Sequence, residues 1–211
     1  MYEVEVKVRA AHDEVRERLR KRGAEPLNAV VQVDTYYDAP HRDFAETDEA
    51  LRIRREAALE TGEFGLADDD DEATSADAAT LADSLDEDAF DAHVTYKGPL
   101  VEDESKTREE FETLVALGET MDEILGRLGF EPAATVRKRR ERFALDDYTV
   151  TLDTVDGLGE FVECEVETTE EDVEHAREGA FDVLRSLGLD PGEQILTSYL
   201  GLLLADSSPE Q

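Results

Sequence analysis

The chain begins with M-Y-E-V-E-V-K-V-R at residues 1–9, and this stretch decides the fold. In an extended backbone, successive side chains point to opposite faces of the strand. One face of this strand is apolar: Val4, Val6 and Val8. The other face is charged: Glu3, Glu5, Lys7 and Arg9. We expect the valines to pack against the body of the protein, so the charged face points either into solvent or into a wet, charge-lined cavity.

The composition is strongly acidic and otherwise that of a globular protein. The chain has 211 residues, of which 40% are hydrophobic, and a formal net charge of −33. This length suits one large domain or two small ones with a sizeable core. Such acidity repels nucleic acids and anionic membranes, so neither is an expected partner. Because the acidic residues are spread over the whole chain, we interpret the charge as an adaptation to high salt, where screening reduces self-repulsion.

The single cysteine, Cys164, indicates neither an internal disulfide nor a cysteine-based metal site. It lies on the apolar side of a predicted strand, between two glutamates, and we expect it to be a small core residue. The first residues already form a predicted strand, with no charged-then-apolar leader before it. No apolar run approaches the length of a bilayer. These features predict a cytoplasmic protein.

The two-faced pattern of the first strand returns along the chain with both signs of charge. The stretch A-L-R-I-R-R-E at 50–56 is apolar on one face and basic on the other, and T-V-R-K-R-R-E-R-F at 135–143 is the most basic segment. Alternation with a period of two residues predicts half-buried strands. Further strands are predicted at 28–38, 93–99 and 106–112, and as a hairpin over 148–167 with its turn at 156–159.

Four segments have apolar residues at helical spacing and could cover these strands. They lie at 11–23, 118–128, 169–187 and 193–204. Asp13 and Gly23 are expected to cap the first helix. Residues 57–92 contain D-D-D-D-E and no Lys or Arg between Ala57 and Ala92, which predicts a mobile acidic surface insertion with at most a short helix. Residues 206–211 are expected to form a disordered tail.

The charges on the predicted strands indicate a closed sheet. Glutamates cluster on the first, fifth and last strands, whereas Lys and Arg dominate the third, fourth and sixth. On an open sheet these would be ordinary solvated faces, but the apolar faces then need the helices as an outer cover. Closing the sheet places the charges inside a barrel, where neither sign is tolerated alone. Interleaved, the carboxylates would hold divalent cations and the basic groups would hold polyphosphate oxygens, which indicates a phosphoryl- or nucleotidyl-transfer site.

Six sequence blocks resemble those of the CYTH superfamily, the triphosphate tunnel enzymes that include class IV adenylate cyclases and thiamine triphosphatases. E-V-E-V-K at 3–7 is similar to the family signature E-x-E-x-K. The other blocks follow in matching order: L-R-I-R at 51–54, T-Y-K-G-P at 95–99, R-E-E-F-E at 108–112, V-R-K-R-R at 136–140 and L-D-T-V-D-G-L-G-E-F-V-E-C-E at 152–165. The resemblance implies an α+β fold in a single domain over residues 1–205. That fold is an eight-stranded antiparallel β-barrel tunnel with a charged lumen, covered outside by helices.

The resemblance also implies roles for individual residues. The triphosphate would be gripped by Lys7, Arg52, Arg54, Lys97, Arg108, Lys138 and Arg140. Mg²⁺ or Mn²⁺ would be held by Glu3, Glu5, Asp153, Glu163 and Glu165. The expected catalytic group comprises Glu3, Glu5, Lys7, Glu110 and Glu112. The structural alternative is that any of these residues forms a salt bridge within the barrel.

Three functions are compatible with the resemblance. The first is a class IV adenylate cyclase, in which the ribose 3′ oxygen of ATP attacks the α-phosphorus and pyrophosphate leaves; T-Y-K-G-P and L-D-T-V-D-G-L-G look closest to that branch. The second is a triphosphatase acting on thiamine triphosphate or inorganic tripolyphosphate. The third is a non-catalytic module that binds polyphosphate or a nucleotide. We expect a monomer or a homodimer, and the insertion at 57–92 could form a lid at one tunnel mouth or have no role.

Overall fold

Eight antiparallel strands close into a barrel. The computed structural model describes residues 2–59, 77–100 and 108–206. Around the barrel the strands follow the order β1-β5-β4-β3-β2-β6-β7-β8, and β8 pairs with β1. The strands are β1 Tyr2–Arg9, β2 Glu25–Asp38, β3 Ala50–Ala58, β4 Asp91–Leu100, β5 Arg108–Val115, β6 Glu131–Leu145, β7 Tyr148–Val155 and β8 Gly159–Thr168. The predicted α+β class and the closed eight-stranded antiparallel barrel are confirmed.

The apolar face of β1 points outward and packs under two helices. β1 pairs with β8 along its whole length, and Val6 stands opposite Cys164. Both residues and Val8 are buried in a cluster with apolar side chains of α1, His12–Arg22, and α5, Val173–Ser186. Burying an aliphatic side chain of this size contributes about 1.5–3 kcal/mol relative to exposure. This cluster therefore fixes which face of β1 turns into the barrel, and Cys164 is a core residue, as predicted.

The remaining helices are α2 Phe44–Thr47, α3 Ala78–Asp83, α4 Gly118–Arg127 and α6 Tyr199–Asp206. No helix in the described part of the chain is long and apolar enough to cross a bilayer. The predicted C-cap of α1 is confirmed, because Gly23 has φ 75° and so adopts the left-handed conformation that glycine tolerates. Its predicted N-cap was wrong: Ala11 occupies that position and Asp13 lies in the first turn.

The last helix begins later than predicted, at Tyr199 and not at residue 193. A single 3-10 turn at Pro191–Glu193 precedes it, and the chain from 194 to 198 is not helical. The backbone N–H of Ile195 donates to the carbonyl oxygen of Lys7 at 2.7 Å, which ties this segment to the barrel. A tertiary hydrogen bond thus replaces the first helical turn that the apolar spacing predicts. The predicted tail starts inside α6 at Asp206, and its remaining residues lie outside the described part of the chain.

Helix α6 covers part of one end of the barrel. At that end, side chains on the lumen face of four strands form an apolar layer: Tyr36, Val136, Val155 and Phe161. Tyr199 packs on this layer with its ring 5.0 Å from the ring of Phe161, centroid to centroid. The charged part of the lumen therefore has an apolar floor, and α6 is part of it.

The predicted insertion at 57–92 is partly ordinary structure. β3 runs to Ala58, β4 begins at Asp91, and α3 between them packs on β2 through an apolar cluster. Asp156 accepts hydrogen bonds from the first two backbone N–H groups of α3, at 3.0 and 2.8 Å. The short helix that the sequence allows in this segment is present as α3, and its apolar contacts with β2 stabilise it. The rest of the insertion, residues 60–76, lies outside the described residues.

Candidate active site

The barrel lumen contains a cavity of about 1230 Å³. Its lining includes every site residue predicted from the sequence except Asp153: Glu3, Glu5, Lys7, Arg52, Arg54, Lys97, Arg108, Glu110, Glu112, Lys138, Arg140, Glu163 and Glu165. The cavity also extends to a mouth between the β2–β3 connection and α6. The structure thus brings the predicted residues together in one place, while their individual roles stay predictions.

Strands rich in glutamate and strands rich in Lys and Arg occupy different arcs of the barrel, and their side chains meet in the lumen. The acidic strands β8, β1 and β5 are neighbours in the barrel, and the basic strands β4, β3 and β6 lie on the remaining arc with β2 and β7. We call Glu3, Glu5, Glu163 and Glu165 the acidic wall, and Arg52, Arg54, Lys138 and Arg140 the basic wall. The predicted interleaving of the two signs is seen in the side-chain contacts: Arg140 pairs with Glu163 and lies 3.9 Å from Glu165, and Lys7 Nζ lies 3.9 Å from Glu163. A cation-complexed polyphosphate matches a lumen divided in this way.

Asp153 lies beneath the basic wall and holds two of its members. Arg140 donates to the two carboxylate oxygens of Asp153 from Nε and Nη2, at 2.7 and 2.6 Å, and Lys138 Nζ lies 3.3 Å away. Burial opposes ionisation of Asp153, but the two cations outweigh burial, so its pKa lies below the ordinary value. The carboxylate is fully buried and points at the basic side chains. Its contacts hold Arg140 and Lys138 in place, and the metal-ligand role implied by the resemblance stays a prediction.

Asp34 of β2 holds Arg54 in the same way and was not predicted from the sequence. Arg54 donates to it from Nε and Nη2, at 2.7 and 2.6 Å, and Arg52 Nη1 lies 3.4 Å away. Burial alone would raise the pKa of Asp34, but these arginines hold it well below its usual range. The signal in the sequence is weak: Asp34 shares a strand face with Gln32 and Tyr36, which gives no charge pattern.

The acidic wall is a cluster of carboxylates on adjacent strands. Glu5 stands opposite Glu165 in the β1–β8 pair. Burial raises the pKa of Glu3 to about 7; Glu110, Glu165 and Glu5 add to this, and the nearby Lys97 only partly offsets it. Burial and neighbouring carboxylates also raise the pKa of Glu165. Like charges held this close disfavour one another, so a positive ion would be bound favourably here.

Lys97 and Arg108 sit where the two walls meet. Lys97 Nζ lies 2.5 Å from Glu110 Oε2 and 3.6 Å from Glu3 Oε1. Arg108 donates from Nη1 to the carbonyl oxygen of Asp48 at 2.8 Å and from Nη2 to its carboxylate at 2.9 Å. Arg108 therefore fastens the β2–β3 connection at the cavity mouth, a contact that the sequence does not reveal.

Glu110 and Glu112 of β5 both reach toward the basic wall. Arg52 Nη2 lies 3.7 Å from Glu110 and 3.8 Å from Glu112. Glu112 also accepts a hydrogen bond from the Thr95 hydroxyl at 2.7 Å, and Arg52 Nε donates to that hydroxyl at 3.3 Å. These glutamates orient Arg52. Both also line the cavity, which is the position that their predicted catalytic role requires.

Tyr199 is a lumen residue that was not predicted as part of the site. The centroid of its ring lies 4.2 Å from Lys7 Nζ and 5.1 Å from Lys138 Nζ. Its hydroxyl donates to Asp153 Oδ2 at 3.0 Å. An aromatic face attracts cations, so one ring stabilises two ammonium groups that would otherwise repel each other. An aromatic residue in an apolar segment usually indicates only core packing, so the sequence carries no signal for this role.

The acidic wall has the ligand chemistry of a Mg²⁺ or Mn²⁺ site. Glu3, Glu5 and Glu165 present carboxylate oxygens, which hard divalent cations prefer. The raised pKa values of Glu3 and Glu165 reflect burial and repulsion that a bound cation would relieve. Within the described ranges, no three acidic, imidazole or thiol side chains already converge on a point that could hold a metal. The chemistry of the donor set fits a hard divalent cation such as Mg²⁺ or Mn²⁺.

The sequence as a whole matches a known family. The family model described as the CYTH domain matches residues 1–199. A protein of Methanocaldococcus jannaschii that bears the name "Putative adenylate cyclase" is 34% identical over 204 residues, which is 96% of this chain and 98% of that protein.

Solved structures with the same fold come from distant organisms. The PH1819 protein from Pyrococcus horikoshii is 34% identical, with a TM-score of 0.78 over 97% of this chain and 99% of that one. The Hippeastrum protein HpAC1, described as an adenylyl cyclase that reveals a dominant triphosphatase activity, has a TM-score of 0.58 at 16% identity. That match covers 99% of this chain and 97% of the Hippeastrum chain, and it shows the fold alone.

Proposed function

Because the chain belongs to the CYTH domain family, we propose that it is a class IV adenylate cyclase, which converts ATP to cyclic AMP and pyrophosphate. Members of the family bind triphosphate substrates and are enzymes, either cyclases or triphosphatases. The name of the similar Methanocaldococcus jannaschii protein favours the cyclase.

The basic wall is the observation that supports binding of a triphosphate in the lumen. Two buried carboxylates, Asp34 and Asp153, each hold an arginine through paired hydrogen bonds of 2.6–2.7 Å. The guanidinium groups of Arg54 and Arg140 are thereby fixed in place before any ligand arrives, while both still line the cavity. Preorganised cations of this kind stabilise charge that develops during phosphoryl or nucleotidyl transfer without further reorganisation.

The chain's own residues would then act by position and charge. The basic wall binds the oxygens of the triphosphate, and Lys7 and Lys97 add contacts from the other side of the lumen. Glu3, Glu5 and Glu165 would hold a divalent cation, which when bound supplies positive charge to the phosphate oxygens. The ribose 3′ oxygen forms a bond to the α-phosphorus. The bond between the α-phosphorus and the oxygen that bridges to the β-phosphorus breaks. The pyrophosphate stays paired with the basic wall. The 3′ hydroxyl proton leaves to a base, for which the lumen carboxylates are available.

A triphosphatase is the second candidate, because the same charged lumen serves a different nucleophile. Here water attacks the terminal phosphorus of the triphosphate in place of the ribose oxygen. The bond from that phosphorus to the bridging oxygen breaks, and orthophosphate and the diphosphate are released. The Hippeastrum protein, which shares the fold, is described with this activity as dominant. Binding by the basic wall is common to both candidates, so only the products separate them.

Product analysis tests the proposal. The purified chain is incubated in high salt with Mg²⁺ or Mn²⁺ and with ATP, thiamine triphosphate or tripolyphosphate in separate reactions. We expect cyclic AMP and pyrophosphate in equal amounts from ATP. Orthophosphate without cyclic AMP would contradict the cyclase and support the triphosphatase. Tight triphosphate binding with no product under either metal would leave a binding module as the function.

Two arginine variants supply the control for this assay. Arg52→Gln removes a cation of the basic wall but leaves the Asp34–Arg54 pair in place, and we expect a loss of activity of about 100-fold or more. Arg20→Gln removes the same charge from the exposed surface of α1. It should keep the wild-type rate. Equal rates in the two variants would show that the basic wall does not act in the reaction.

A further inference from the structure

The cavity has a second end, which lies away from α6. Along β6 the lumen face runs from Val136, which packs beside α6, to Arg142. These two residues are six positions apart, which is about 20 Å in an extended strand. Arg142 still lines the cavity, although it is not one of the four residues of the basic wall. We call Arg142 and the polar residues around it on the neighbouring strands the inner end: Asn28, Gln32, Glu56, Arg142 and Thr151.

A carboxylate of the protein occupies the anion position beside Arg142. Arg142 Nη2 donates to Glu56 Oε2 at 3.0 Å, and Gln32 Nε2 donates to the same oxygen. Burial alone would raise the pKa of Glu56, but these two donors and the nearby Arg54 hold that pKa below its ordinary value. The Glu56 carboxylate is therefore ionised, and its oxygen is bound as an oxygen of a phosphate group would be.

The pair between Glu56 and Arg142 can be reached from solvent. The side chain of Glu56 is 25% exposed and that of Arg142 is 18% exposed. Arg142 is also held independently of Glu56, because its Nη1 donates to Asn28 Oδ1 at 3.2 Å. A rotation of the Glu56 side chain toward solvent would therefore leave the guanidinium in place, with Nη2 able to donate to another anion.

Two polar atoms of the inner end, Thr151 Oγ1 and Gln32 Oε1, are buried without a hydrogen-bond partner among the described residues. Thr151 stands opposite Arg142 in the β6–β7 pair, so the two side chains share the lumen face. Buried polar atoms nearly always have a partner, so two orphans in one cluster point to a ligand. A hydrogenphosphate at Arg142 would accept from the Thr151 hydroxyl and donate its own O–H to Gln32.

We propose that the inner end is a second oxyanion site, which takes orthophosphate or pyrophosphate when Glu56 turns away from Arg142. Arg142 and Thr151 donate to the anion, and Glu56 is the gate that competes with it. The site is separate from the basic wall and does not require a triphosphate there. Pyrophosphate that leaves the lumen and free phosphate that enters from solution present the same oxygens to it.

Titration with the basic wall occupied tests the site. The full chain is saturated with Mg²⁺ and the bis(methylene) analogue of ATP, in which neither phosphoanhydride can be cleaved. Orthophosphate or pyrophosphate is then added at a fixed KCl concentration, and phosphorus NMR gives its Kd. Glu56→Gln removes the competing charge, so we expect the Kd of at least one anion to be about tenfold lower than in the wild type. The anion that responds more strongly distinguishes leaving pyrophosphate from free phosphate.

Three variants separate the gate from a general effect of charge. Asp91→Asn is the matched control, because Asp91 stands opposite Glu56 in the β3–β4 pair but is exposed. It removes the same charge and should leave the Kd at the wild-type value. Adding Arg142→Gln to Glu56→Gln should cancel the gain in affinity. Should that double variant fail to fold by circular dichroism, Thr151→Val in the Glu56→Gln background should raise the Kd about threefold or more.

Three results would overturn the inference. If the added anion only displaces the ATP analogue, it binds at the basic wall and the inner end is not a site. If Asp91→Asn lowers the Kd as much as Glu56→Gln does, net charge and not the gate controls binding. If Arg142→Gln leaves the gain in place, the anion binds elsewhere. If the ATP analogue itself does not bind, the proposed function fails, and the same variants titrated without it still decide whether Arg142 binds the anion.

Discussion

Burial lowers the pKa of Lys138, a single residue of the basic wall. Its ammonium group is buried and lies beside Arg140, and these influences outweigh the opposing effect of Asp153, lowering the pKa to about 8. A lysine with a depressed pKa loses its charge as the pH rises through that value. We therefore expect kcat/KM for the triphosphate substrate to fall above pH 8, because this parameter reports ionisation in the free enzyme.

Two conservative variants check the assignment to Lys138. Lys138→Arg places a group there that stays charged, so the alkaline fall in kcat/KM should move to higher pH. The pKa of Lys97 is instead raised, because nearby carboxylates outweigh its burial and the neighbouring Arg52. Lys97→Arg should then leave the position of the alkaline fall where it is in the wild type. A fall that stays at pH 8 in Lys138→Arg would assign it to another group.

Tyr199 allows the ring and the hydroxyl to be tested separately. Tyr199→Phe keeps the aromatic face over Lys7 and Lys138 but loses the hydrogen bond to Asp153. Tyr199→Leu removes both. We expect KM to rise by about threefold or less in the Phe variant and about thirtyfold in the Leu variant, since a buried cation–π contact contributes about 2 kcal/mol and each 1.4 kcal/mol is about tenfold. Equal KM values in the two variants would show that the ring does not position the lysines.

The acidic wall predicts opposite effects on activity and stability. Glu3→Gln removes a carboxylate that lies among other carboxylates, with little change in volume. Activity should fall about 100-fold or more, because the site loses a cation ligand. The free energy of unfolding, measured by urea without added metal at pH 8, should stay the same or increase because repulsion is relieved.

A neighbouring glutamate is the control for Glu3. Glu167 stands opposite Glu3 in the β1–β8 pair, but it is exposed and does not line the cavity. Glu167→Gln should keep wild-type activity. A Glu3→Gln protein that unfolds easily while its folded fraction remains fully active would mean that Glu3 is a structural residue.

At the residue scale, the sequence indicates charges that repeat with period two but not their buried partners. Glu3, Glu5, Lys7 and Arg54 stand out because each belongs to an alternating charged face. Asp34 and Tyr199 stand alone in apolar or mixed segments, so nothing in the pattern separates them from ordinary strand or core residues. Their roles come from contacts between residues far apart in the chain, which a local pattern does not encode.

Among the elements, α3 has, besides its own N-cap Asp77, a second cap supplied by another part of the chain. Asp156, in the β7–β8 turn, accepts hydrogen bonds from the backbone N–H groups of Ala78 and Ala79. We expect Asp156→Ala to lower the free energy of unfolding by about 1 kcal/mol, the usual cost of losing a cap. Asp86→Ala removes an exposed carboxylate just after α3 and should have a smaller effect. Urea titration measures both, and equal midpoints would contradict the capping role.

Element positions follow from the sequence wherever local signals agree. β1 combines strict alternation with an apolar face, and α4 has apolar residues at helical spacing. Both lie within a residue or two of their predicted bounds. The start of α6 was misplaced because the Ile195–Lys7 hydrogen bond, which joins distant segments, holds the chain out of a helix. The acidic composition around α3 allowed only a short helix to be predicted there, and its alanines and Leu81 pack against the cluster on β2.

For the whole molecule, the sequence predicts a closed barrel but not the order of its strands. Alternating charged faces and outer helices require closure, whichever strands are neighbours. The division of the lumen into acidic and basic walls arises because β5 lies between β1 and β4. That placement needs long-range pairing, Glu3 with Arg108 in the β1–β5 pair, which no local pattern specifies.

The net charge of −33 predicts a strong response to salt. The Debye length falls from about 10 Å at 0.1 M to about 3 Å at 1 M ionic strength, so repulsion between surface carboxylates should weaken. We expect the thermal midpoint to rise steadily between 0.1 and 2 M KCl. Chloride is preferred to sulfate, because sulfate also strengthens apolar burial by exclusion. A midpoint that stays constant or falls over this range would contradict adaptation to high salt.

The central claim is that a triphosphate binds inside the barrel, between the basic and acidic walls. The most direct test is a crystal structure of the chain with Mg²⁺ and an ATP analogue in which methylene groups replace both bridging phosphoanhydride oxygens, so that neither link can be cleaved. We predict phosphate oxygens within hydrogen-bonding distance of the basic wall, Arg52, Arg54, Lys138 and Arg140, and a cation on the side of Glu3, Glu5 and Glu165. An analogue bound only outside the barrel would contradict the claim. In that case no phosphate would lie beside the Asp34–Arg54 and Asp153–Arg140 pairs, and both pairs would be undisturbed.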